Sequence, residues 1–162
     1  MRLMSAVGFV FSLFSIFASG AQADEASSLA DELFMLIPGY VSYGMYEYEN
    51  EFNPNGCEVF IFSKKEFENS QGWHREESEG GINFGEINYI TFLDTKSGGA
   101  RVTYSFESEV IGYSYERDGN MEYIDRKEKK NRISIHFGGD GRSAKKALLL
   151  SKKLKKKCDG QI

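Results

Sequence analysis

This chain is poor in the residues and patterns that mark chemistry. Its 162 residues include two histidines, two cysteines and one tryptophan. It has no Gly-x-Ser-x-Gly elbow, phosphate loop, Gly-x-Gly-x-x-Gly fingerprint or His-Glu-x-x-His pair. The corresponding hydrolase, nucleotide-binding and zinc-protease classes therefore lose their sequence support. Two histidines also leave little from which to build a metal centre. The nearest approach is His74 with Glu76 and Glu77, and adjacent residues on one segment rarely converge on a single ion. Carboxylates are plentiful, but no pair of them stands out as an acid and base. Long apolar runs are scarce too, and the main one, Val7 to Ala18, is too short to span a bilayer comfortably. The sequence thus predicts no cofactor, no metal and no catalytic set.

That apolar run still carries information. Arg2 gives it a positive start, and Ala21-Gln22-Ala23 fits a small-x-small cleavage site. Residues 1–23 are expected to be a signal peptide and residues 24–162 a single domain, periplasmic or secreted. An uncleaved N-terminal anchor is the alternative. In an exported protein an even cysteine count favours a disulfide, so Cys57 and Cys158 are expected to bridge. Closing a loop of about 100 residues contributes about 4–5 kcal/mol on the chain-entropy estimate. Two free thiols or a metal pair would be the other outcome.

The clearest order lies between Glu86 and Phe137. Tyr89, Thr91 and Leu93 alternate with Ile90, Phe92 and Asp94, and Val102, Tyr104 and Phe106 alternate with Arg101, Thr103, Ser105 and Glu107. A period of two puts neighbours on opposite faces of a strand. Ser97-Gly98-Gly99 supplies a hairpin turn between them. Ile111, Tyr113 and Tyr115 mark a third strand, Asp118-Gly119 a second turn, and Met121 to Ile124 a return. Asp125 to Arg132 is wholly polar and reads as an exposed turn or strand tip. Ile133, Ile135 and Phe137 then alternate with Ser134 and His136 in a last strand. Tight turns imply antiparallel neighbours. The fold class is therefore α+β: an antiparallel meander of about five strands, covered by an N-terminal and a C-terminal helix.

The flanks supply that cover. Ser27 or Ser28 can cap a helix starting near Leu29, with Leu33, Leu36 and Ile37 on its apolar stripe and Pro38-Gly39 ending it. Tyr40 to Phe52 interleaves Tyr46 and Tyr48 with Glu47, Glu49 and Glu51. This segment is either an edge strand packing its rings on the core or an acidic-aromatic surface for a cationic partner. Asn53-Pro54-Asn55-Gly56 is a turn by its chemistry, and Cys57 to Phe62 a strand. Ser63 to Gly85 shows no sustained pattern and reads as a long loop carrying Trp73 and His74.

Charge is segregated along the chain. Residues 24–125 hold 21 acidic and 6 basic side chains, whereas residues 126–162 hold 3 acidic and 13 basic. Asp140 or Ser143 can cap a helix running to about Lys157, with Ala144, Ala147, Leu150, Leu154 and Cys158 along one stripe. Its lysines are expected to be solvated or to face the acidic body. Contact with a membrane or another anionic surface is the alternative. Nucleic acid is not expected, because no strand face interleaves basic and aromatic residues.

These features predict a non-catalytic binding protein that recognises another macromolecule, as an inhibitor, immunity factor or accessory protein does. The partner is expected to be a protein, attracted electrostatically if cationic. Candidate binding residues are Tyr46, Tyr48, Trp73, His74, Ser97, Gly98, Arg101 and Asp118. The stretch Ser97-Gly98-Gly99-Ala100-Arg101-Val102-Thr103-Tyr104 resembles the Ser-Gly loop of bacterial periplasmic lysozyme inhibitors over less than a tenth of the chain. That resemblance implies an inhibitory loop contact, and Ser-Gly-Gly is also ordinary hairpin chemistry. Two alternatives are a carrier of a small ligand or lipid, and an enzyme using the Trp73–Gly85 segment with His136.

Overall fold

Period-two alternation and turn chemistry take most of the chain into strands. The computed structural model describes residues 24–96, 99–119 and 123–159, so the expected signal peptide lies outside the described residues. Nine strands occur among those described: β1 Tyr40–Tyr43, β2 Tyr46–Asn55, β3 Glu58–Asn69, β4 Gly72–Asn83, β5 Ile87–Thr95, β6 Gly99–Phe106, β7 Ile111–Asp118, β8 Tyr123–Lys130 and β9 Arg132–Gly138. Helix α1 covers residues 24–34 and α2 covers Gly141–Cys158. The α+β class holds, but with nine strands in two sheets rather than about five in one.

Every pairing is antiparallel. The larger sheet has the order β1-β2-β3-β4-β7-β8 and the smaller one the order β5-β6-β9. The meander expected from Glu86 to Phe137 is thus interrupted. The β7–β8 hairpin leaves its sequence neighbours and docks on β4, after which β9 returns to β6. Turn residues fix a hairpin locally, but which sheet the hairpin joins is a long-range choice.

Two polar stretches are strands despite their composition. Ser63 to Gly85 is not a loop: it holds the second half of β3 and all of β4, two strands paired from Glu58↔Asn83 to Asn69↔Gly72. The side chain of Asn69 accepts a hydrogen bond from the Gln71 amide at 2.8 Å in the turn. Gly72 follows at φ 113°, where an added Cβ would meet the Asp118 carbonyl of β7. Likewise Asp125 to Lys130 is not a free turn, because it pairs with β7 from Ile111↔Lys130 to Asp118↔Tyr123. Apart from Ile82 and Phe84, which enter the core at the end of the first stretch, these residues carry no apolar alternation because neither of their faces is sealed by the core.

The core occupies one side of the molecule. Leu33, Phe52, Ile61, Phe84, Tyr104 and Leu154 are among its buried side chains. Phe84, in the 3-10 turn Phe84–Glu86 between the sheets, meets Phe52 and Tyr104 edge-on at 6.3 and 5.6 Å. Helix α2 buries Ala144, Ala147, Leu150, Ser151, Leu154 and Cys158, and the Ser151 hydroxyl hydrogen-bonds the Tyr104 hydroxyl at 2.9 Å. Asp140 caps α2 by accepting from the Ser143 amide at 3.0 Å. Helix α1 is already helical at residue 24, so Ser27 and Ser28 lie within it and do not cap it. Two lysines of α2 face α1: Lys157 reaches Glu25 at 2.6 Å and Lys146 reaches Glu32 at 3.2 Å. Cys57 and Cys158 form the expected disulfide. It joins the β2–β3 turn to the end of α2, a covalent tie consistent with an oxidising compartment.

Candidate functional site

The register sorts the side chains of the larger sheet onto two faces. On β2, β3 and β4 the rungs Phe52–Ile61–Gly80, Asn50–Ser63–Ser78, Tyr48–Lys65–Glu76 and Tyr46–Phe67–His74 all point inward. The first of these lies in the core. The others continue on the same face beyond it, across a gap from the smaller sheet. There, Arg101↔His136 and Thr103↔Ser134 are paired rungs on the face opposite α2. Two polar surfaces therefore oppose each other in a V.

Asn50 forms the seam of that V. Its side-chain amide donates to the Pro38 and His136 carbonyls, both at 2.9 Å. Its Oδ1 accepts from the His136 amide at 3.1 Å and from the Ser63 hydroxyl at 3.3 Å. A single buried side chain thus holds β9 across β2 and β3, a position that backbone ladder bonds cannot reach. Beside it the His136 ring stacks on Tyr48, with centroids 4.1 Å apart and planes 10° apart. Burial, reinforced by Arg101 and Lys65, pushes His136 down to about 3, and burial pushes the Tyr48 hydroxyl up to about 12. Nδ1 of His136 is buried and has no hydrogen-bond partner among the described residues.

Above the seam the cleft has two lobes, of about 210 and 260 Å³. Both are lined by Lys65, Arg101 and His136. Tyr46, Tyr48 and Leu93 add to the second, and Lys130, Arg132 and Tyr113 to the first. Lys65 is committed to Glu76 at 3.3 Å and lies over the Tyr46 and Phe67 rings. Lys130 sits 3.0 Å from the Tyr113 ring centre and 3.4 Å from Glu128. Arg101 and Arg132 line the cleft without a carboxylate partner among the described residues. Glu76 is the one acidic group in the lining of these two lobes. In an acidic chain, the cleft is a local concentration of positive charge.

Of the residues singled out from the sequence, Tyr46, Tyr48, Arg101 and His136 meet at this cleft. His74 is farther along the same inner face. Its ring stacks on Phe67 at 4.5 Å, its Nδ1 is 2.9 Å from the Tyr115 hydroxyl and its Nε2 is 3.3 Å from Asn69 Oδ1. Burial pushes its pKa down. Trp73 and Asp118 are paired on the outer face and do not share the cleft. Ser97 and Gly98 lie outside the described residues. His74 and Glu76 point inward while Glu77 points outward to Arg75, which undoes the metal triplet. No group of three potential metal ligands gathers among the described residues.

Sequence reasoning missed Lys65, Ser78, Lys130, Arg132 and Ser134 as site residues. One signal for them was present. Arg101, Thr103 and Ser105 form a polar row on a strand whose other face is apolar, and the polar row of β9 pairs with it. Comparison with protein-family models, with curated proteins and with solved structures gave no match to this chain.

Proposed function

We propose that the chain is an exported, non-catalytic binding protein that recognises another macromolecule through the cleft between its sheets. The observation that carries this reading is the gathering of Lys65, Arg101, Lys130 and Arg132 from four strands of two sheets around one open cleft. Unpaired guanidiniums beside a recess are recognition groups for anions, because their planar forks bind carboxylate, sulfate or phosphate through two parallel hydrogen bonds. The disulfide and the N-terminal signal pattern support an oxidising destination. The histidines argue against catalysis. His136 is buried, stacked and a weak base at neutral pH, and both ring nitrogens of His74 are engaged.

A second surface favours the cationic partner expected from the acidic body. The outer face of β2 to β4 carries Glu47, Glu49, Glu51, Glu58, Glu66, Glu68, Glu77 and Glu79 against Lys64 and Arg75. One retention experiment on native envelope extract separates the two surfaces. It uses the wild-type chain, an Arg101→Glu/Arg132→Glu variant and a Glu51→Lys/Glu68→Lys variant. Salt-sensitive retention should survive the outer-face reversal and disappear with the cleft reversal. Retention unchanged by the cleft reversal would sink the cleft reading.

A further inference from the structure

The order of groups along the cleft specifies its ligand more narrowly than charge alone. Resting on the cleft being the recognition surface, we infer that it takes an acidic saccharide: a chain of hydroxylated rings carrying anionic groups.

On the smaller sheet Arg101 pairs with His136, Thr103 with Ser134, and Ser105 with Arg132. The two arginines therefore lie two rungs apart, about 13 Å along the strands at 3.3 Å per residue. Between them, the Thr103 and Ser134 hydroxyls are 2.8 Å apart. On the opposite wall Ser63, Ser78 and Tyr113 form one rung across three adjacent strands. The middle of the cleft is thus a band of hydroxyls, with an unpaired guanidinium at either end. Hydroxyls both donate and accept, and they match a ligand that presents hydroxyls of its own. The guanidiniums match anions set apart by such a segment.

Other anionic ligands fit less well. Single-stranded nucleic acid needs free aromatic faces on which bases can stack. Here the Tyr48 ring is covered by His136, the Tyr113 ring by Lys130, and the Tyr46 ring is flanked by Phe67 and Lys65. An acidic peptide can engage the two arginines as well, but its carboxylates and backbone offer no hydroxyls to the band between them, so it satisfies only the two ends of the cleft. The broad hollow of about 560 Å³ at β4, β7 and β8 mixes Glu77, Glu79 and Glu128 with Lys127 and Lys129, so it has no such single-sign selectivity.

The test is calorimetric titration of the purified chain at low salt. The probes are a tetrasaccharide of alternating glucuronate and N-acetylglucosamine, the neutral N-acetylglucosamine tetrasaccharide, and tetraglutamate. The acidic saccharide should bind at least tenfold more tightly than either of the others. Arg101→Ala and Arg132→Ala should each weaken it at least tenfold, and Thr103→Val should weaken it several-fold, with unchanged melting temperatures. Arg101→Lys should restore only part of the affinity, because the charge remains but the fork is lost. Equal binding of the neutral saccharide, preference for tetraglutamate, or indifference to both arginine substitutions would overturn the inference. Cleft-dependent retention of envelope material with no saccharide binding would overturn this inference alone and leave the binding-protein reading standing.

Discussion

The inner face of the six-stranded sheet has two halves built from the same three strands. On one half Phe52, Val59, Ile61 and Ile82 are sealed under the core. On the other, Tyr46, Tyr48, Lys65 and Glu76 occupy the same side of the same pleat and line open cavities. The boundary is a single rung, Asn50–Ser63–Ser78. Strand geometry does not differ between the halves; what lies over them does. Over the first half, apolar area removed from water stabilises by about 25 cal/mol per Å². Over the second, a lid would have to bury Arg101 and Arg132, and burying unpaired charge costs more than packing returns. A sheet of this kind can keep a recess open by changing residue chemistry halfway along its strands.

The largest effect is expected where the sealed half is stapled. The disulfide spans a sequence separation of 101. Cys57→Ala/Cys158→Ala should lower unfolding free energy by about 4–5 kcal/mol, read by urea denaturation. Saccharide affinity measured in conditions where the variant stays folded should be unchanged, because the staple lies on the far side of the seam. A loss below 1 kcal/mol would show that the two layers are held by packing alone. Next in size is the seam itself. Asn50→Ala removes the side chain's hydrogen bonds to Pro38, His136 and Ser63 and leaves buried backbone groups unpaired. At about 1–3 kcal/mol for each unsatisfied group, partly recovered by relaxation, the cost should be about 3 kcal/mol. Unlike the disulfide variant, it should also weaken the cleft, since His136 and Ser63 lose their anchor. A variant that keeps full affinity would separate the seam from the site.

The same contrast explains what could be read from the sequence. Val102, Tyr104 and Phe106 on β6 and the stripe of α2 were legible because one face of each meets the core, and burial imposes the period. The disulfide followed from an even cysteine count and an export pattern. Ser63 to Gly85 was opaque for the opposite reason. Its inward residues include Lys65, Glu76 and Ser78, which line the cleft, so no apolar alternation betrays the strand. The site was half legible. Tyr48 and Arg101 stood out by type, but Lys130 and Arg132 sit in a run of charges that resembles a solvated turn. The docking of β7–β8 on β4, a pairing across 33 to 45 residues that no local signal records, carries Lys130 to the cleft, and the pairing of β9 with β6 carries Arg132.

The smallest predicted effect probes the boundary directly. His136 is neutral in the folded chain, lowered from 6.5 to about 3, chiefly by burial. Between those values the unfolded chain binds a proton that the folded one refuses. Stability is therefore full above pH 6.5 and falls as pH drops through that window. From about pH 6.5 to 4.5, above the range in which most carboxylates titrate, the loss from this one group should be about 2 kcal/mol. His136→Gln should flatten that part of the stability profile, leaving the residue contributed by His74, which burial also pushes down. If the slope instead survives the substitution intact, His136 is already solvated. The cleft would then reach past the Asn50 seam, and the sealed half of the sheet would be shorter than its packing implies.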